Sequence, residues 1–287
     1  AGRDGRVTAA MASTGAGYDY SSSTFSPDGR LFQTEYALKA VSNAGTSVGI
    51  RCRDGIVMGV EKILISRMMM SGSNRRIYSV ARHAGIAVTG VNADGRQIVF
   101  RAREECEGYL DSYDHPIVPH VLASRLAYYV HYFTLHGSLR PFGATALLAA
   151  YDADEGKHEL YMVDPTGLCQ RYFGAAAGKG AQAAKTELER LALNELSCRE
   201  AVKEVARIIH TIKDPSKDKP FELDMSWLCE ESGWEHQAVP AEIVKQAEAE
   251  VKAALEEGGA GEESKGADAG ATAGEAAGQA PMEDGST

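Results

Sequence analysis

Cysteine is scarce in this 287-residue chain, and its five thiols are far apart. None belongs to a Cys-x-x-Cys pair, and no histidine stands at zinc-finger spacing, so the pattern indicates neither a disulfide framework nor a zinc site. An odd number of isolated thiols is typical of a reducing compartment. We therefore expect a cytoplasmic and nuclear protein. The thiols are Cys52, Cys106, Cys169, Cys198 and Cys229.

Long apolar runs and concentrated positive charge are also missing. No stretch reaches the roughly 18 apolar residues of a membrane-spanning helix, and no basic-plus-apolar leader is recognised. The longest basic run is Arg75-Arg76, whereas binding to a phosphate backbone needs a clustered basic surface. The sequence therefore predicts no membrane and no nucleic acid as a partner.

Most of the net charge of −10 belongs to the C-terminal end. Between Glu257 and Thr287 there are seven acidic residues and one lysine, which gives a net charge of −6. Beyond Gly258 the chain has no aromatic residue, leucine, isoleucine or valine, so it cannot bury enough apolar surface to fold. We expect residues 257–287 to form a disordered acidic tail. It is either simply solvated or a phosphorylated or partner-binding arm.

The rest of the chain is rich enough in apolar residues, 44% overall, to form a substantial core. Runs typical of strands flank the Asp54-Gly55 turn and recur at 77–80, 86–89, 144–151, 160–163, 169–173 and 221–228. Apolar residues at helical spacing occupy 98–110, 118–133, 184–191, 202–212 and 243–255. This order predicts an α+β domain.

One short segment invites a nucleotide-binding interpretation. Gly178-Lys179-Gly180 contains the Gly-Lys pair of a phosphate-binding loop. That loop also needs a glycine where Phe173 stands and a serine or threonine where Gly180 stands. We therefore reject the motif and expect no cofactor.

The most informative run is FSPDGRLFQTEYA, residues 25–37. Pro27 fixes its own φ and Asp28-Gly29 supplies turn chemistry, so the backbone should reverse before a helix begins near Arg30. The helix should bury a stripe formed by Leu31, Leu38 and Val41. On its surface, Glu35 and Lys39 are four residues apart and are expected to pair.

This run resembles the signature at the N-terminal end of alpha subunits of the 20S proteasome, a barrel-shaped threonine protease. The resemblance implies a four-layer αββα sandwich, the fold of N-terminal-nucleophile hydrolases, over residues 25–256. It also implies a flexible gating tail over residues 1–24. The LRPFG segment at residues 139–143 resembles another stretch common in these subunits.

The function implied by the resemblance is structural and regulatory. Alpha subunits form an outer ring that controls the access of substrates in ubiquitin-dependent degradation, while the beta subunits carry out catalysis. The implied partners are neighbouring alpha subunits, beta-ring subunits, regulatory particles or other activators, and unfolded polypeptides in transit.

The segment before the signature covers the axial pore in alpha subunits and carries a Tyr-Asp-Arg motif. By resemblance Tyr18 and Asp19 fill its first two positions, and Tyr20 replaces an arginine that can form salt bridges with a neighbouring tail. The family uses this Tyr-Asp pair together with Pro27 and Tyr36 to hold the gate open. We call these four residues the gate cluster. The alternative is that Tyr36 is only a packed helix residue.

The same resemblance argues against catalysis by this chain. In beta subunits the strand corresponding to Thr46 onward begins with a free N-terminal threonine, activated by its own amine and a nearby lysine. Here Thr46 lies inside the chain, and Arg76 occupies the position of that lysine. A guanidinium stays charged and transfers protons poorly.

Arg76 has a second implied role. Alpha subunits carry a basic residue here in pockets that receive the C-termini of activators, and an arginine can bind a terminal carboxylate through two hydrogen bonds. The alternative is a solvent-facing arginine.

Two other functions remain open. The chain could be an N-terminal-nucleophile amidase that exposes Thr46 by autocleavage, in which case its mature form would begin there. It could also be a free-standing binding module, which would be a monomer.

Overall fold

The structure is a computed structural model that describes residues 17–213 and 219–267. The helices in these ranges are α1 (Phe32–Ser42), α2 (Asn92–Tyr113), α3 (Pro119–Leu135), α4 (Ala181–Glu189), α5 (Cys198–Ile212) and α6 (Ala241–Ala267). The strands are β1 (Ser47–Arg51), β2 (Gly55–Ile63), β3 (Ile77–Ala81), β4 (Ala84–Gly90), β5 (Ala144–Asp152), β6 (Lys157–Val163), β7 (Cys169–Tyr172), β8 (Gly174–Ala177), β9 (Phe221–Cys229) and β10 (Gln237–Ala238). A short 3-10 helix, Glu230–Ser232, follows β9.

The strands form two antiparallel sheets with the orders β10-β9-β2-β1-β8 and β3-β4-β5-β6-β7. Helices α4, α5 and α6 cover the first sheet, and α1, α2 and α3 cover the second. Each helix layer shares an apolar core with its sheet. The predicted four-layer αββα sandwich is therefore confirmed.

A third core fills the space between the two sheets. Alternate residues of β2 and β5 point into it and are fully buried, because the side-chain period of a strand is two. This core contains Ile56, Met58, Leu147, Leu160 and Leu228. Gly49 of β1 faces Leu160, and a Cβ there would lie 3.2 Å from a Leu160 methyl carbon.

Helix α5 shows how local sequence fixes one of these elements. Ser197 caps it, since the Ser197 hydroxyl accepts from the Glu200 amide and the Glu200 carboxylate accepts from the Ser197 amide. Such capping contributes about 1 kcal/mol. Val202, Val205 and Ile209 on its inner face pack against the first sheet.

The surface of α1 differs from the prediction. Glu35 pairs with Arg30, whose Nε donates to Oε1 at 2.8 Å, and not with Lys39. The turn before the helix brings Arg30 back over the first helical turn, where its planar fork fits the carboxylate better than a flexible ammonium. The buried positions are Thr34, Ala37 and Val41, and Leu38 is exposed.

Strand β8 was not predicted. It consists of one glycine and three alanines, so no β-branched or aromatic residue marks it. It forms because it pairs with β1. Helix α6 continues past residue 256, where the acidic tail was expected to begin, up to Ala267. Residues 268–287, and residues 1–16 of the expected gating tail, lie outside the described part.

The two sheets are joined at one edge by an aromatic stack. Trp234, just after β9, packs on Tyr151 of β5 with ring centroids 4.1 Å apart and an interplanar angle of 9°. Nearby, the His236 amide donates to the Arg82 carbonyl. None of the helices in the described part has the length and hydrophobicity needed to span a bilayer.

Candidate functional site

The segment that precedes the signature run is anchored at Ser22. This side chain is buried, and its hydroxyl lies 2.7 Å from the His136 carbonyl oxygen and 3.0 Å from that of Leu139, just after α3. Gly137 permits the approach, since a Cβ there would lie 2.7 Å from the Ser21 hydroxyl. The described residues before Ser22, 17–21, therefore extend from a fixed point.

The signature run forms the predicted turn. The Gly29 amide donates to the Ser26 carbonyl at 2.9 Å, and Gly29 has φ of +74°, which favours glycine. The Arg30 amide donates to the Ser26 hydroxyl at 3.0 Å. Pro27 lies in this turn and is exposed.

Within the gate cluster, the described hydrogen bonds join Asp19 and Tyr36. The Tyr36 hydroxyl donates to Asp19 Oδ2 at 3.5 Å, and the Gln33 side-chain amide donates to the Asp19 backbone carbonyl. Tyr36 is 44% exposed, so it is not a core residue of this chain. Tyr18 and Pro27 are exposed, and among the described residues no hydrogen bond joins either of them to Asp19 or Tyr36.

Gln33 and Ser22 were missed as site residues. Gln33 precedes Tyr36 by three residues, and helical spacing places such residues on one face, so this signal was available. Ser22 stands in a run of serines that suggested mobility, and nothing local distinguishes the one that becomes buried.

Thr46 lies in a buried network at the start of β1. Its amide donates to Glu61 Oε2 at 3.0 Å, and its hydroxyl accepts from the Gly180 amide at 3.1 Å. The other Glu61 oxygen binds the Lys213 ammonium at 2.9 Å. A peptide nitrogen has no basic lone pair, so the Thr46 amide cannot activate its own hydroxyl in this chain.

The Gly-Lys-Gly segment has a packing role beside Thr46. Gly178 has φ of +104°, and a Cβ on it would lie 2.4 Å from the Gly45 carbonyl oxygen. A Cβ on Gly180 would lie 2.8 Å from the Thr46 hydroxyl. Glycines are needed here for close approach of the backbone.

Arg76 is half-buried and held in one orientation. Its Nη1 donates to the Gly90 carbonyl at 2.8 Å, and its Nε donates to Asn74 Oδ1 at 3.2 Å. Burial lowers the pKa of this guanidinium, but an arginine remains charged at neutral pH. The group has five N–H donors, so two bonds leave donors for a carboxylate.

The LRPFG segment is clamped to the start of α2 by a buried carboxylate. Asp94 accepts from both terminal nitrogens of Arg140, at 2.6 and 2.8 Å, and from the Gly143 amide at 2.9 Å. The hydrogen bonds from Arg140 hold the pKa of Asp94 below its usual value. This clamp fixes the loop that leads from α3 into β5.

Comparison with known proteins decides the family. The N-terminal signature of proteasome A-type subunits matches residues 18–40, and the proteasome subunit family matches residues 41–228. The chain belongs to the proteasome subunit family. The signature covers all four residues of the gate cluster and also Gln33. It marks an alpha-type, non-catalytic subunit of the 20S core.

The similar proteins agree with this. The chain is 57% identical to the alpha type-3 proteasome subunit of Oryza sativa subsp. japonica and 58% identical to that of Arabidopsis thaliana, each over 247 residues, 86% of this chain and 98% of the relative. It is 51% identical to the type-3 subunit of Acanthamoeba castellanii over 85% of this chain and 96% of the relative.

Proposed function

We propose that this alpha-type subunit occupies the seventh position of the alpha ring, gates the access of unfolded polypeptides and helps to dock regulatory particles. Its direct partners are neighbouring alpha subunits and the beta-ring subunits, which carry out the proteolysis. It acts in the cytoplasm and nucleus. The observation that carries the gating role is the contact of Asp19 with Gln33 and Tyr36, which ties the N-terminal segment to the signature helix.

The gate requires two states of similar free energy. The contact of the Tyr36 hydroxyl with Asp19 is at the outer limit of a hydrogen bond and is open to solvent, so it contributes little on its own. A partner that stabilises the contact between Tyr36 and Asp19 by a modest free energy can shift the N-terminal segment from the closed state to the open state. The anchor at Ser22 limits the change to residues before it.

Assembly is tested by native electrophoresis of an extract with an antibody to this chain, combined with mass spectrometry of its N-terminus. We expect almost all of the chain in a very large particle, with residues before Thr46 retained. A chain that begins at Thr46 would favour the autoprocessed amidase. A monomer would favour the free-standing binding module.

Deletion of residues 1–24 should raise the hydrolysis of small peptides by the assembled particle several-fold, because it removes the tail and its anchor. The measurement is the initial rate with a fluorogenic peptide in the absence of activators. A deletion of residues 1–10 is the matched control, since it retains Tyr18, Asp19 and Ser22, and it should leave the rate unchanged. Equal rates for both deletions and the full chain would show that this tail does not close the pore.

Replacement of Arg76 by alanine should weaken the binding of a peptide with an activator's C-terminal sequence by about tenfold. A hydrogen bond to a charged group contributes roughly 1.5–3 kcal/mol. Calorimetric titration of the assembled particle measures the affinity, and the same peptide with an amidated C-terminus shows whether the carboxylate matters.

The neighbouring Arg75 is exposed and offers a control of equal charge. Arg75→Ala should bind the peptide normally, and Arg76→Lys should recover part of the affinity. If Arg76→Ala also binds normally, Arg76 is not part of an occupied docking pocket.

A further inference from the structure

Three of the five cysteines converge in the core beneath α5. Cys52 follows β1, Cys198 is the first residue of α5, and Cys229 ends β9. All three are buried, with 3%, 2% and 1% of their surface exposed. We call them the thiol cluster. The proposed gating and docking roles do not use it.

The carboxylate of Asp54 lies next to the thiol cluster. The sulfurs of Cys52 and Cys198 and a carboxylate oxygen of Asp54 lie within 4.8 Å of one another. Asp54 Oδ1 accepts from the Cys198 amide at 2.8 Å, which fixes the carboxylate at the start of α5. Cys229 adjoins Cys198, and each thiol affects the proton affinity of the other through a hydrogen bond.

The backbone around these groups is held from several sides. The Cys52 amide donates to the Gly55 carbonyl at 2.7 Å, and the Cys52 carbonyl lies 2.8 Å from His158 Nε2. Gly55 pairs with Cys229, and a Cβ on Gly55 would lie 2.5 Å from the Cys229 Cβ. The side chains are therefore brought together by the fold, although they are far apart in the sequence.

We propose that Cys52, Asp54 and Cys198 bind Zn²⁺, with Cys229, which adjoins Cys198, as the fourth ligand of a tetrahedral site. Zn²⁺ favours four ligands drawn from thiolates, imidazoles and carboxylates. Zn–S bonds of about 2.3 Å place two ligand sulfurs about 3.8 Å apart, so Cys52, Asp54 and Cys198 need to contract only slightly. Cys229 lies outside that group, and its side chain has to turn toward the metal. The soft thiolates disfavour Mg²⁺ and Ca²⁺, which prefer oxygen ligands.

Binding requires a defined proton balance. Each thiol that ligates Zn²⁺ loses one proton to water, whereas Asp54 binds as the carboxylate it already is. Zinc affinity should therefore rise with pH.

The test uses the full chain, purified, equilibrated with Zn²⁺ and dialysed. We expect one zinc per chain by elemental mass spectrometry, and a sulfur-to-cobalt charge-transfer band after replacement with Co²⁺. Cys198→Ala should lose both signals. Asp54→Asn keeps an oxygen that can accept from the Cys198 amide, and should raise the zinc dissociation constant at least about tenfold.

Cys106→Ala is the matched control, because Cys106 is buried in the other helix-covered core. It should bind zinc like the unmodified chain. The proposal is wrong if the unmodified chain holds no zinc, if Cys198→Ala and Asp54→Asn both bind as tightly as Cys106→Ala, or if the thiols form a disulfide in place of a metal complex. Circular dichroism shows which variants are folded. If Cys198→Ala does not fold, the zinc affinity of Asp54→Asn decides the outcome.

Discussion

Replacing Asp94 by alanine should lower the free energy of unfolding by about 1–3 kcal/mol, the usual cost of leaving a buried hydrogen-bond donor without its acceptor, since the Arg140 side chain is 68% exposed and stays solvated. Three hydrogen bonds from Arg140 and Gly143 converge on this carboxylate. Its loss leaves the Gly143 amide, which is buried, without that acceptor, and frees the loop before β5. Urea unfolding of the full chain at pH 7 measures the effect.

The destabilisation should depend on pH. The pKa of Asp94 is lowered in the folded state, so its contribution is present above the unfolded value of about 3.9 and is lost as the pH falls through the lower folded value. The difference between the unmodified chain and Asp94→Ala should therefore be smaller at pH 3 than at pH 7. Asp111→Ala is a control at an exposed position of the same helix, expected to change stability by less than about 0.5 kcal/mol. An equal loss at both pH values would mean that packing, not charge, carries the effect.

Replacing Leu147 by alanine should cost about 2–5 kcal/mol, because it opens a cavity between two sheets that cannot collapse onto each other. Leu147 is fully buried in the core that the sheets share, and its neighbours there come from both of them. The change in urea midpoint, at constant slope, measures the cost.

Two further variants separate the cavity from other effects. Leu147→Met fills most of the volume and should lose less than about 1.5 kcal/mol. Leu135→Ala removes the same atoms from a side chain that is 53% exposed at the end of α3, and should lose less than about 0.5 kcal/mol. Similar losses for Leu147→Ala and Leu135→Ala would contradict the role assigned to the inter-sheet core.

Local patterns predicted most elements of the fold because helix stripes and strand alternation depend on neighbours in the sequence. The capped helix α5 and the hairpin around Asp54-Gly55 are examples, since their signals are contained in a few residues. Strand β8 was missed because its alanines pair with β1 and carry no preference of their own. Its formation is a property of the assembled sheet.

Residues of the candidate site were likewise predicted where the signal is local and missed where it depends on distant parts of the chain. Tyr36 was found through the signature run and Asp19 through the Tyr-Asp-Arg motif of the preceding segment, and the structure brings them together. Ser22 was missed because its partners are carbonyl groups after α3, more than a hundred residues away. The expectation of neither a disulfide framework nor a zinc site considered only the spacing of the cysteines in sequence, whereas the fold places Cys198 close to both Cys52 and Cys229.

The stack of Trp234 on Tyr151 gives the chain a fluorescent reporter at this edge of the sandwich. The tyrosine belongs to one sheet and the tryptophan follows a strand of the other, so separation of the sheets should expose the Trp234 ring to water and shift its emission. The second tryptophan, Trp227, is buried under the helices of the first sheet, and a soluble quencher should reach Trp234 long before it. Fluorescence quenching of one unlabelled sample can therefore distinguish separation of the sheets at this edge from unfolding of the core that contains Trp227.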